Sequence, residues 1–163
     1  MADVRIRTAV PEDAPAIACM LHDTFAEFRP LYTSRGFAAT AIGVEEVLVR
    51  ITEGPVWVAL WGDSICGTVA AVARGRALYV RGMGVLPTAR GKGAGEALLQ
   101  KVETFAIEHG LETLVLTTTP FLISAIRLYE RFGFCRTPDG PSDLFGTPLF
   151  TMGKRLSPSE AGR

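Results

Sequence analysis

Apolar residues recur along the chain with two different periods, and the changes from one to the other mark out its elements. Ala14, Ile17, Ala18, Leu21 and Phe25 follow the helical spacing behind Pro11-Glu12-Asp13, which puts a proline and two acids at the start of a helix. Val44, Val47, Leu48 and Ile51 predict a second helix, ended by Gly54-Pro55. Residues 27–37, between them, follow neither period. Strand-like runs occupy 4–7, 56–61 and 65–72, the last two a hairpin about Gly62-Asp63-Ser64, and Arg74-Gly75-Arg76 turns into a further strand over 78–85. Pro87 and Thr88 break that strand. Leu98, Val102, Phe105 and Ala106 then form one apolar helix face, with Glu96, Lys101, Glu103 and Glu108 elsewhere around it. A buried strand over 114–119, a short helix carrying Ala125, Leu128, Tyr129 and Phe132 on one face, and a closing strand over 149–156 complete the series. A strand meander followed by strand–helix–strand predicts one α/β domain, a mixed sheet with helices on it, spanning 1–156 with 157–163 as a flexible tail. Gly82 and Gly84 inside a predicted strand call for a bulge or for the close approach of a ligand.

The stretch Arg90-Gly91-Lys92-Gly93-Ala94-Gly95 falls between the 78–85 strand and the helix after it. At a helix N-terminus, unpaired N–H groups and the positive end of the dipole favour an anion, and glycines let it approach the main chain. Turn chemistry alone would also yield such a connection. Two named phosphate motifs fail: the P-loop needs Lys and then Ser or Thr after its last glycine, where Glu96 follows Gly95, and the dinucleotide fingerprint needs its third glycine beyond Gly95.

Composition narrows the classes further. The 163 residues are 48% hydrophobic and 21% charged with a formal net charge of zero, which describes a globular chain without the basic stripe of a nucleic-acid binder. No apolar run is long enough to cross a bilayer, and Asp3, Arg5 and Arg7 interrupt any leader, so the expectation is a cytoplasmic protein with no membrane partner. Cys19, Cys66 and Cys135 are odd in number and widely spaced, and two distant histidines form no cluster, so neither a disulfide framework nor a metal site is expected.

Arg90, Gly93 and Gly95 stand in the spacing Arg-x-x-Gly-x-Gly after a strand ending Met83-Gly84-Val85-Leu86-Pro87. Together with the 114–119 strand, the helix Ala125-Ile126-Arg127-Leu128-Tyr129-Glu130-Arg131-Phe132 closed by Gly133-Phe134, and the closing strand, this resembles the GCN5-related N-acetyltransferase (GNAT) superfamily over residues 4–156. The resemblance implies a mostly antiparallel mixed sheet with helices on both faces, and direct acetyl transfer from acetyl-CoA, the cosubstrate, to a primary amine of a small molecule or peptide. It implies cofactor contacts at Met83, Val85, Arg90, Gly91, Lys92, Gly93, Ala94 and Gly95. Leu122 stands where many relatives carry an asparagine that contacts the pantetheine, so Ser124 or Thr119 is expected in its place. Backbone N–H at Met83 or Gly84 would polarise the thioester carbonyl, and Tyr129 would protonate the leaving thiolate. The spacing of Tyr129 with Ala125, Leu128 and Phe132 also suits a core residue.

The base is less sharply marked. Glu27, just past the first helix, is the candidate, with a solvated carboxylate as its plain alternative. His22 reads as a surface or boundary histidine on the flank of the first helix and His109 as a helix-end one, Asp139 and Asp143 suit turn chemistry and the border of an acceptor site equally, and Arg29, Tyr32 and Arg35 are candidates to meet an acceptor carboxylate or a peptide backbone. Cys135 is expected to be a buried small residue. A monomer or a homodimer fits equally, and a non-catalytic acyl-CoA sensor of the same fold is the alternative to an enzyme.

Overall fold

A computed structural model describes residues 3–157, so most of the expected 157–163 tail lies outside the described residues. The described residues form five α-helices and nine strands: β1 Val4–Thr8, α1 Ala14–Phe25, α2 Ser34–Thr40, α3 Val44–Glu53, β2 Val56–Trp61, β3 Ser64–Arg74, β4 Ala77–Val85, α4 Ala94–Glu108, β5 Thr113–Thr118, α5 Ile123–Arg131, β6 Cys135–Thr137, β7 Asp143–Leu144, β8 Thr147–Pro148 and β9 Phe150–Arg155. Seven strands form one sheet in the order β1-β2-β3-β4-β5-β9-β6, antiparallel throughout except for the β4–β5 pair.

Helices cover both faces, each because its apolar stripe meets one set of alternating strand residues. Val69, Ala71, Leu78 and Val80 join Leu98, Leu99, Val102 and Ala106 of α4 and Tyr129 of α5 in one core. Val56, Val58, Leu60 and Ala70 join Ile17, Ala18 and Leu21 of α1 and Val47 of α3 in the other. Leu98, Leu99 and Val102 are fully enclosed, so a leucine-to-alanine change there carries the usual core cost of about 2–5 kcal/mol.

The aperiodic segment 27–37 has structure of its own: a 3-10 helix over Ala26–Leu31, then α2, opened by Thr33, whose hydroxyl accepts from the Gly36 N–H at 3.0 Å. Between α5 and β9 stand β6 and the small β7–β8 hairpin. Because β6 is a three-residue edge strand, Cys135 is exposed rather than buried.

Candidate active site

The site is built where the sheet divides. β4 pairs with β3 along its length, but its parallel pairing with β5 runs only from Ala77↔Thr113 to Tyr79↔Val115. Tyr79 Oη and Thr117 Oγ1, 3.1 Å apart, bridge the fork at its base. Beyond it, β4 has no strand on that edge, so its backbone polar groups face a cleft. The pairing Thr68↔Gly84 gives way to Ala70↔Arg81, leaving Val69 opposite two residues, Gly82 and Met83. This is the bulge the glycines called for. Gly82 has φ 62°, a left-handed conformation costly to any residue with a Cβ.

Side chains sort around the bulge. Arg81 reaches Glu53 of α3, and Gly84 lies against Thr24 and Leu21 of α1. Met83 and Val85 pack on the opposite core, under α4. α4 starts at Gly93, an N-cap with φ 83° and no side-chain cap, so its first N–H groups face outward. A Cβ on Gly95 would come 2.7 Å from Leu128 Cδ2, so this glycine also lets α5 pack close to the α4 N-terminus.

Between β4, α4 and α5 lies a cleft of about 660 Å³. Met83, Val85, Arg90, Gly91, Gly93, Ala94, Gly95, Ser124 and Tyr129 all line it. Lys92 does not; its Nζ sits 4.8 Å from the centre of the Trp61 ring. Arg127 and Arg131, one helical turn apart on α5, line the cleft and were missed, although cations four residues apart beside a glycine loop were a usable signal. Thr24 also lines it, with Oγ1 buried and without a hydrogen-bond partner.

A second cavity of about 340 Å³ opens on the other side of the fork, and Phe25, Met83, Leu122 and Tyr129 line both. Tyr129 is 8% exposed, and burial first, then the nearby Tyr32, pushes its phenol up to about 12. Tyr32, in the second cavity, is also raised by burial; the Thr119 and Thr40 hydroxyls oppose that shift, though Thr119 Oγ1 makes no well-formed hydrogen bond. The apolar turn at Phe121 and Leu122 has a packing role: Phe121 meets Tyr32 edge-on at 4.9 Å and Phe28 at 6.2 Å, tying the 3-10 segment to the α5 N-terminus.

Glu27 lines neither cavity; its carboxylate accepts from Arg90 at 2.9 Å. Arg29 and Arg35 lie over the rings of Phe37 and Phe145, outside both cavities. His22 and His109 bond the carbonyls of Ala18 and Phe105 one turn back, and Asp143 accepts from Gly146 N–H in its turn.

The model of the acetyltransferase (GNAT) family matches residues 19–134, from within α1 to Phe134, just before β6. The chain belongs to the GNAT acetyltransferase family. This GNAT chain is 33% identical over 111 residues to human N-acetylaspartate synthetase, covering 67% of the chain but 36% of that protein. It thus spans about a third of that relative. An Escherichia coli K12 protein called uncharacterized N-acetyltransferase YjgM is 31% identical over 136 residues, 79% of this chain and 80% of that one. In fold, the GNAT chain resembles the PaiA N-acetyltransferase of Thermoplasma acidophilum solved with coenzyme A, at a TM-score of 0.81 and 15% identity over 94% of this chain and 99% of the other. A Salmonella typhimurium structure solved with acetyl-CoA gives 0.72 at 21% identity, over 95% of each chain.

Proposed function

We propose that this GNAT domain transfers an acetyl group from acetyl-CoA directly to a primary amine of a small molecule or peptide. The observation that carries this reading is the fork in the sheet: an unpaired, bulged strand end leads into a glycine-lined helix start, and one buried tyrosine stands where two cavities meet. The names of its relatives, an N-acetylaspartate synthetase and an N-acetyltransferase, support transfer to nitrogen.

The residues fit the cosubstrate. Unpaired backbone at Met83 and Val85 would receive the pantetheine arm as an added strand. The N–H groups from Gly91 to Gly95 would hold the diphosphate, with Arg90 at the rim and Ser124 at the α5 start. Lys92 would join them after leaving the Trp61 ring. When bound, acetyl-CoA supplies the thioester carbon that the amine attacks. The backbone N–H at Met83 or Gly84 is the donor to the carbonyl oxygen, and Tyr129 keeps a proton on Oη for the leaving sulfur. Glu27, engaged with Arg90, can take the ammonium proton through water only once that exposed ion pair opens, which favours a role in holding the loop.

Thermal unfolding with acetyl-CoA, CoA, ATP and NAD in parallel tests the reading, followed by thiol release on a panel of amines. A ligand at a hundred times its Kd adds roughly 2.7 kcal/mol. Stabilisation by acetyl-CoA and CoA, with thiol release that depends on an amine, is the expected result. A response to ATP or NAD alone would overturn it, and stabilisation without turnover of any amine would favour a sensor.

A further inference from the structure

The second cavity carries a charge imbalance that acetyl transfer by itself does not use. Arg50 from the last turn of α3, Arg74 from β3 and Arg81 from β4 all line it. One carboxylate is bound among them: Glu53 accepts from Arg81 Nη2 at 2.7 Å. Among the described residues, Arg50 has no carboxylate within ion-pairing distance, and Glu46 and Glu53 act on it only through space. Arg81 Nε is buried without a hydrogen-bond partner. Arg74 lies over the Tyr79 ring at 4.4 Å and leaves its own charge uncompensated.

Two guanidiniums that approach each other in a partly desolvated cavity are unfavourable unless an anion joins them. Arg50 registers this strain: burial first, then the positive charge of Arg81, holds it below the ordinary arginine value. The planar fork of arginine matches a carboxylate, which accepts two parallel N–H bonds. Position adds a second constraint. The Arg50 guanidinium lies against the α-carbon of Gly82, where a Cβ would collide with its Nη1. It therefore sits beside Met83, one of the residues that line both cavities. An amine presented at Met83 and an anion held at Arg50 belong to one compact molecule.

We infer that the second cavity recognises a carboxylate of a small amine acceptor through Arg50, which no carboxylate of the described residues pairs, and the neighbouring Arg81, whose Nε is left without a partner, an amino acid being the class that fits. The identity of the acceptor as an amine rests on the acetyl-transfer reading; the carboxylate site does not. A volume of about 340 Å³ is at the small end of small-molecule pockets, which favours a free amino acid over a peptide.

Calorimetric titration of the CoA-loaded protein with succinate, a dicarboxylate lacking the amine, and with succinamide separates the two questions. Succinate is expected to bind roughly tenfold or more tightly than succinamide, and Arg50→Ala to weaken succinate by a similar factor, with Arg50→Lys partly restoring it. Unchanged CoA affinity in both variants shows that they fold. Succinate binding no tighter than succinamide, or unaffected by both Arg50→Ala and Arg81→Gln, overturns the inference. Thiol release on aspartate, spermidine and benzylamine runs alongside. Succinate binding without turnover of any amine upholds the carboxylate site and removes the transfer reading. Turnover of spermidine or benzylamine without succinate binding keeps transfer and removes the carboxylate site.

Discussion

Tyr129 is packed like a core residue and also reaches both cavities, so the core reading and the proposed acid do not exclude each other. Its ring packs edge-on against Phe134 at 5.8 Å. Burial keeps the phenol protonated, because raising the pKa to about 12 extends the acid form far above neutral pH. Tyr129→Phe is therefore expected to lower kcat by roughly 100-fold or more with little change in the acetyl-CoA KM, measured by thiol release. Wild-type turnover should show no loss from tyrosine ionisation between pH 7 and about pH 10; a decline below that which Tyr129→Phe abolishes would contradict the assignment. The glycine loop that lines the cleft was readable because glycine spacing is a local signal, although Lys92 turns to the Trp61 ring instead. Arg50 and Arg81 were not, because they meet only when α3 packs on α1 and β3 and its Arg50 side chain reaches Gly82 of β4, and no period within either element reports that contact.

Elements were legible where one period ran long enough. α1, α3 and α4, the β2–β3 hairpin and β4 lie where the pattern placed them, whereas α2 and β6 to β8 are too short for a period to emerge. Asp13 shows how an element start can be read for the right residue and only part of the right reason. Expected as an acid favouring the helix dipole, it accepts from Arg7 Nη1 at 2.7 Å, Arg7 Nη2 at 2.9 Å and the Val10 N–H at 2.8 Å, fastening β1 to the α1 start. Arg7, chiefly through those hydrogen bonds, lowers the Asp13 pKa, so the contribution is complete above the unfolded value of about 4 and is lost as pH falls through the lower folded value. Asp13→Asn should cost on the order of 1 kcal/mol at pH 7, since Arg7 is half-exposed, and the difference from wild type should shrink in acid, as followed by urea unfolding.

At the scale of the molecule, both faces of the sheet are covered, yet the sheet is split along half of one seam, and the two cavities meet at that split. Gly82 is the supernumerary residue. With it removed, Arg81, Met83, Gly84 and Val85 would stand opposite Ala70, Val69, Thr68 and Gly67 in unbroken register, and every side chain would keep its present face. The rest of the strand already encodes an ordinary sheet. Deleting Gly82 should thus leave a folded protein that melts at or above the wild-type temperature, as seen by circular dichroism, but that no longer gains stability from CoA. One inserted glycine thus bends β4 just where its other edge lies open, and its excision would exchange that irregularity for an unbroken β3–β4 pairing.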